Sequence, residues 1–392
     1  ADAVQSPIIP IVGGLTRATP GTISLGQGVV SYKPPALAVQ RAMEWAGGSD
    51  HLYGAVPGEA ALQTAIRQKL KADTKVDVDD TKRSIFVTAG SNMAFLQLVL
   101  ALCDEGDEFI FSVPFYFNHE MACTMCGVKA VKVPTTEDFQ LDVTKLQAAI
   151  SPRTKAIITI SPNNPTGAVY PEATLRAVNA LCRDHGLYHI SDEAYEYFVY
   201  GSTVHFSPSA IEGSEGHTIS LFSLSKSYGF AAWRIGYMLM PAGLDAVMRK
   251  IQDTNLICAP LASQHAAAGC LEVGPVHCAP HVAELQTVRD LMLKELQDPK
   301  HACKWKAWPC DGAFYIIIQL LRCTRPDMEV VSRLIREFKV AVLPGSTFGM
   351  DDGCFFRVSF GPLRRDTAVE GLQRLVQGLE AISAEWALPP AV

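Results

Sequence analysis

The feature that most constrains this chain is an alternation in its middle, where short β-branched or apolar runs take turns with stretches of helical period. The runs fall at residues 84–88, 108–112, 129–133, 156–160, 188–191 and 218–223, and the helical stretches at 93–103, 117–125 and 172–185. Runs of that length fit strands, and the longer stretches fit helices. Successive parallel strands need crossover connections, which are usually helical, so the pattern predicts a largely parallel sheet covered on both faces. In such sheets ligands sit beyond the carboxyl ends of the strands. The polar motifs of this chain lie just after the predicted strands.

The last hundred residues change character. A long helical stretch at 280–296 leads to apolar runs at 312–321 and 340–343 with a helix between them. A further run at 354–359 follows, then a closing amphipathic helix from about 365 to 384. A chain of 392 residues has room for two or three domains at ~150 residues each. The expected division is a large α/β domain at 45–285 and a smaller α+β domain built from 1–44 and 286–392, with the boundary running through the long helix.

Hydrophobic residues make up 48% and charged residues 19%, without low-complexity stretches, so an ordered globular protein is expected. Net charge is −6 with the signs interspersed, which argues against nucleic acid as a partner. No apolar run reaches the ~20 residues of a membrane span. The 11 scattered cysteines favour a reducing compartment and hence the cytoplasm. The chain opens on Ala1 without a secretory signal pattern, so it is either trimmed or has lost a leader. Cys123 and Cys126 spell a C-x-x-C within a helical stretch without a second ligand pair; buried helix cysteines account for them better than zinc or redox chemistry. Cys278 beside His277 is read the same way.

Four motifs carry chemistry. Ser223-Leu-Ser-Lys226 sets a lysine among small hydroxyls after a strand, and Arg234 follows eight positions later. A phosphate needs short donors and a fixed cation, and an aldehyde needs an amine; a surface lysine beside serines is equally ordinary. Asp192 follows a strand, where a buried carboxylate requires a positive partner such as a protonated pyridine nitrogen. An aspartate capping the next helix would look the same. Ser161-Pro-Asn-Asn164-Pro-Thr-Gly167 is a stiffened loop that can present an amide at little entropic cost, or a bare turn. Ser91 and Asn92 start a helix, where backbone amides suit a phosphate and where simple capping would also suffice.

Together, in this order and spacing, the motifs resemble fold-type I pyridoxal-phosphate enzymes, specifically the class I/II aminotransferases, with matches from Gly26-Gln-Gly28 to Arg357. Gln27-Gly-Val-Val30, Tyr195-Glu-Tyr-Phe198 and Lys250-Ile-Gln-Asp253 look most like a plant and cyanobacterial branch acting on methionine and aromatic amino acids. The resemblance implies pyridoxal 5′-phosphate as cofactor, with Lys226 binding its aldehyde and moving a proton between substrate Cα and cofactor C4′. It further implies that Asp192 keeps the pyridine nitrogen protonated and that Asn164 and Tyr195 hydrogen-bond the 3′-oxygen. Ser91, Asn92, Ser223 and Arg234 would hold the phosphate, joined by Tyr53 from the partner subunit of a homodimer. Tyr116 would stack on the ring. Arg357 would grip the substrate α-carboxylate, and Gly28 would admit the N-terminal segment close to the substrate. The Ser-Pro-Asn-Asn loop and the Ser91-Asn92 pair depart slightly from the family pattern without removing a needed donor.

The partners implied are an amino acid and a 2-oxo acid. A lyase or synthase on the same scaffold, such as a C–S lyase or an aminocyclopropane-carboxylate synthase, would use the same lysine and aspartate. A ligand-sensing module of a transcription regulator would carry a DNA-binding domain, and no basic recognition helix is present. The segments expected to wall the side-chain pocket, 29–32, 115–117 and 256–260, are apolar and aromatic, with Lys33 the one nearby cation. That lining favours methionine, phenylalanine, tyrosine or tryptophan over aspartate.

Overall fold

The computed structural model describes residues 2–386. The chain begins with α1 (Ile8–Ala18), β1 (Ile23–Ser24), α2 (Ala36–Gly48), α3 (Ala60–Lys69), β2 (Arg83–Thr88), α4 (Ser91–Leu102), β3 (Glu108–Val113), α5 (Phe117–Met125) and β4 (Lys129–Pro134). It continues with α6 (Val143–Ala148), β5 (Thr154–Ile160), α7 (Glu172–Asp184), β6 (Tyr188–Asp192), β7 (Thr218–Ser223), α8 (Leu224–Ser227), β8 (Gly236–Pro241), α9 (Asp245–Asn255), α10 (Leu261–Val273) and α11 (Ala279–Leu296). It closes with β9 (Trp305–Ala307), β10 (Tyr315–Leu320), α12 (Asp327–Phe338), β11 (Val340–Ala341), β12 (Leu343–Pro344), β13 (Cys354–Ser359) and α13 (Arg365–Trp386).

Seven strands form the large sheet in the order β2-β8-β7-β6-β5-β3-β4. β3 pairs in parallel with β4 and β5, β5 with β6, and β6 with β7. β8 runs antiparallel to both β2 and β7. The strands expected from sequence do not include this one, although four apolar residues lie between Gly236 and Pro241. The reversal brings the start of β8, just after Arg234, to the edge where the other strands end: Gly236 pairs with Thr88 on one side and Ser223 on the other.

Both faces of this sheet are covered. Along β8, Tyr237 and Leu239 pack with Val87 and Phe222, while Met238 and Met240 pack on the opposite face with Phe86 and Leu221. This is the two-residue period of a strand with apolar neighbours on either side. Each large apolar side chain so buried contributes ~1.5–3 kcal/mol.

A second sheet, β12-β13-β10-β9, is antiparallel, and β1 pairs in parallel with β11. The single strand expected at 340–343 is two, β11 and β12, because the chain changes sheets at Val342. On α12, Val330, Val331, Leu334 and Ile335 form a buried helical stripe. They share a core with Ile8 and Val12 of α1 and with Leu285, Val288, Met292 and Leu296 of α11. Ala38 and Ala42 of α2 join the other core, with Ala266 and Ala267 of α10.

Cys123 is buried in α5 and Cys126 caps that helix; neither forms a disulfide, and burial raises both thiols above their ordinary range. Cys278 is buried, and His277 Nε2 lies 3.1 Å from the Lys33 carbonyl. Among the described residues no group of three or more His, Cys, Asp or Glu could hold a metal ion. No described helix is long and apolar enough to cross a membrane.

Candidate active site

Two adjoining cavities lie where the parallel strands end. The first, about 150 Å³, is lined by residues that follow β2, β3, β5, β6 and β7; the second, about 420 Å³, opens toward the N-terminal segment and β10. Tyr116, Asn164, Tyr195 and Lys226 line both.

One end of the first cavity is built for an anion. α4 begins there with Gly90 as its N-cap and no side-chain capping bond, so Ser91 and Asn92 line the cavity without acting as caps. The first amides of a helix lack intrahelical partners and carry the positive end of its dipole. Ser223 Oγ accepts from Ser225 N at 3.2 Å and so caps the short α8 that holds Lys226. Arg234 has the left-handed φ of 54°, rare for a side chain with a Cβ. Its guanidinium donates to the Ala231 carbonyl at 2.9 Å and leaves the cavity-facing side to other acceptors. Gly90 is required beside it, since its φ is 85° and a Cβ there would collide with Arg234 Nη2.

The first cavity also holds a carboxylate. Asp192 ends β6, is 4% exposed, and accepts from Ala194 N at 3.1 Å through Oδ1. Its Oδ2 lies 3.2 Å from His119 Nε2, out of line for a hydrogen bond, so neither His119 nitrogen has a hydrogen-bond partner among the described residues. His119 stacks on Phe95 at 3.9 Å and meets the edge of Tyr116 at 5.1 Å.

Lys226 lines the same cavity. Burial pushes its amine down to about 8, with repulsion from Arg357 and Arg234 adding and Asp192 opposing. Such an amine keeps a neutral, nucleophilic fraction near neutral pH that an ordinary lysine lacks.

Arg357, on β13, is 2% exposed and has no carboxylate within ion-pair distance among the described residues. It donates to Asn164 Oδ1 at 2.9 Å and to the Gly26 carbonyl at 2.6 Å, while its Nε has no partner among the described residues. A buried, uncompensated guanidinium is costly unless a ligand supplies the anion.

Of the residues singled out from sequence, Ser91, Asn92, Tyr116, Asn164, Asp192, Tyr195, Ser223, Lys226 and Arg234 line the first cavity, and Gly28 and Arg357 the second. Tyr53 is 80% exposed and lines neither. The expected pocket wall needs correction: the 256–260 segment lines neither cavity, and Lys33 is exposed. Pro7, Ile8 and Ile9 stand in the second cavity instead. Sequence reasoning also passed over Ser225, His119 and Tyr315. Ser225 adjoins Lys226 in the same hydroxyl motif and could have been found. His119 lies three residues past Tyr116, a helical neighbour in spacing. Tyr315 has one local signal, a hydroxyl at the head of a strand that continues with three isoleucines.

An amine with a lowered pKa, a buried carboxylate and an anion cradle of helix amides, hydroxyls and guanidinium fit the aldehyde, ring nitrogen and phosphate of pyridoxal phosphate. On this sheet, with its strand ends carrying those groups, they define a pyridoxal-phosphate-dependent transferase of fold type I. Residues 20–375 match the family model of aminotransferases of class I and II, and the chain belongs to that family. It is 34% identical to an aromatic aminotransferase of Arabidopsis thaliana, over 96% of this chain and 94% of that one. It is 31% identical to an aspartate aminotransferase of Pyrococcus abyssi, over 93% of this chain and 92% of that one. The crystal structure of an aromatic aminotransferase from Pyrococcus horikoshii superposes with a TM-score of 0.86 at 29% identity, covering 95% of this chain and 99% of that one. The protein is therefore an enzyme that moves amino groups between amino acids and keto acids with pyridoxal phosphate.

Proposed function

We propose that this aminotransferase takes its amino group from an apolar or aromatic amino acid, such as methionine, phenylalanine, tyrosine or tryptophan, and passes it to a 2-oxo acid. The wall of the second cavity carries the proposal. Pro7, Ile8, Ile9, Val29 and Phe117 face it, and its only charged side chains among the described residues are Lys226 and Arg357. With Arg357 engaged by the α-carboxylate, a distal carboxylate would meet no second cation, whereas an apolar side chain gains roughly 25 cal/mol per Å² buried. Specificity constants for phenylalanine, methionine and aspartate, measured side by side, are expected to favour the first two over aspartate by about a hundredfold. Aspartate in the lead would overturn the reading and bring in a cation from a second subunit.

When bound, pyridoxal phosphate supplies the aldehyde and the electron-withdrawing ring that receive the amino group and the electrons of the Cα–H bond. The chain's own residues do the rest in this proposal. Lys226 holds the aldehyde and moves the proton between substrate Cα and cofactor C4′. Asp192 holds the proton on the pyridine nitrogen, and Asn164 and Tyr195 donate to the 3′-oxygen. Ser91, Asn92, Ser223 and Arg234 bind the phosphate, and Tyr116 lies against the ring. Arg357 binds the α-carboxylate bidentately, for which its planar fork is suited. Gly28 leaves room for the N-terminal segment to approach and exclude water.

The working unit in this proposal is a two-fold homodimer in which Tyr53 of each copy completes the neighbour's phosphate site. Met43, Leu52 and Tyr53 are 70%, 72% and 80% exposed in the single chain, an apolar group that a second copy would cover. Sedimentation is expected to show a dimer, and Tyr53→Phe to weaken cofactor retention without dissociating it. A fully active monomer would sink this part. We further propose that 45–285 and 1–44 with 286–392 act as two units, Ala1 and 387–392 lying outside the described residues. The β1–β11 pairing supports the second unit, and the packing of α2 on α10 draws the N-terminal crossing back toward Pro35.

A further inference from the structure

Tyr315 has no part in the roles above, yet it touches three of the residues that do. Its hydroxyl oxygen lies 2.6 Å from that of Tyr195. Its ring lies under the Arg357 guanidinium, 4.3 Å from Cζ to the centroid. A Cβ on residue 28 would collide with its hydroxyl, so glycine at that position is what leaves Tyr315 its place. The register explains the Arg357 contact. Arg357 pairs with Ile317 and Ser359 with Tyr315 across β10 and β13, so Tyr315 and Arg357 are diagonal neighbours on one face of the sheet.

We propose that Tyr315 is a positioning residue: its hydroxyl donates to Tyr195, which commits the Tyr195 proton to the cofactor's 3′-oxygen. This rests on the proposed role of Tyr195. A phenol has one proton to give and lone pairs to accept with. Asn164 Nδ2, 3.5 Å away, donates to Tyr195 and cannot take its proton. If Tyr195 gives its proton to the 3′-oxygen, the 2.6 Å contact must use the proton of Tyr315. Donation of that kind polarises the next hydroxyl and strengthens its own bond. Tyr315 is also the more acidic phenol and hence the better donor of the two: burial raises it to about 12 and raises Tyr195 further still, with Arg357 pulling down on both. The substrate-carboxylate side of the site is thereby tied to the cofactor side through a single side chain.

The test is the pH midpoint of the visible absorbance band of the holoenzyme without substrate, for Tyr195→Phe, Tyr315→Phe and the double variant. Weakening a donor to the 3′-oxygen destabilises its anionic form and moves the midpoint upward. Tyr315→Phe is expected to raise it by about 0.3–1 pH unit, the influence of one hydrogen bond. Tyr195→Phe should raise it more, and the double variant should match Tyr195→Phe alone. KM for the amino acid should change less than about twofold in Tyr315→Phe, because the ring stays under Arg357. Tyr315→Leu, which removes the ring too, should shift the midpoint alike and raise KM. A midpoint unmoved by Tyr315→Phe but moved by Tyr195→Phe overturns this inference alone, as does an equal shift by Tyr315→Phe in both backgrounds. A midpoint unmoved by Tyr195→Phe removes the role of Tyr195 and this inference with it.

Discussion

Lys226→Ala is expected to lower transamination by roughly 10⁵-fold or more while leaving a folded protein that still binds the cofactor, because the phosphate cradle and Asp192 are untouched. The same lysine predicts a pH dependence. Its amine is pushed down from 10.5 to about 8, mainly by burial. An amine with a depressed pKa is protonated below that value and neutral above it, and only the neutral form attacks an aldehyde. Capture of pyridoxal phosphate by cofactor-free protein should therefore accelerate as pH rises through about 8 rather than near 10.5. Arg357→Gln removes a repulsive charge and should move that midpoint upward. Stopped-flow absorbance would follow the capture. A rate flat from about pH 6 to 9, or substantial residual turnover in Lys226→Ala, would remove Lys226 from its proposed role.

Asp192→Asn should slow removal of the Cα proton by roughly 10²–10⁴-fold, measured in single turnovers with a Cα-deuterated donor. The substitution keeps size and shape, so it separates charge from packing. Asp192 is suited to holding a proton on a partner because Oδ1 is fixed by Ala194 N, while Oδ2 faces His119 without a well-aligned bond. A neutral amide there would let the ring nitrogen lose its proton, and each pKa unit lost is about 1.4 kcal/mol. Asp192→Glu, with the charge kept but displaced, should recover part of the rate. If Asp192→Asn proceeds at a near-native rate, another group faces the nitrogen, and His119 is the residue to replace next.

Much of this site is legible in the sequence because its chemistry is carried by local motifs. The hydroxyls around Lys226, the proline-bounded loop holding Asn164 and the strand-ending Asp192 each sit within a few residues of a strand, and strand positions follow from a period of two and from β-branched composition. A parallel sheet then gathers strand ends at one edge, which is why motifs more than a hundred residues apart line one cavity. The departures from expectation share a physical cause. Gly236–Pro241 has its place between β2 and β7 through pairings to Thr88 and Ser223, which its four apolar residues do not specify. Likewise Pro7, Ile8 and Ile9 wall the second cavity, in place of residues 256–260, because α1 is anchored by Ile8 and Val12 in the core it shares with α11 and α12.

The sequence by itself determined the alternating sheet, the lysine, the carboxylate and the helix start at Ser91, since each is specified by residue type and short-range spacing. Only the tertiary structure decided that Arg357 is buried with no carboxylate in reach among the described residues, that Tyr315 lies under it and bonds Tyr195, and that the N-terminal segment lines the pocket. Those facts depend on pairings across 42 to 193 positions, such as Tyr315 with Arg357 and Arg357 with Asn164. Contacts of that reach are fixed by register and packing, and a local pattern of residues carries no information about either.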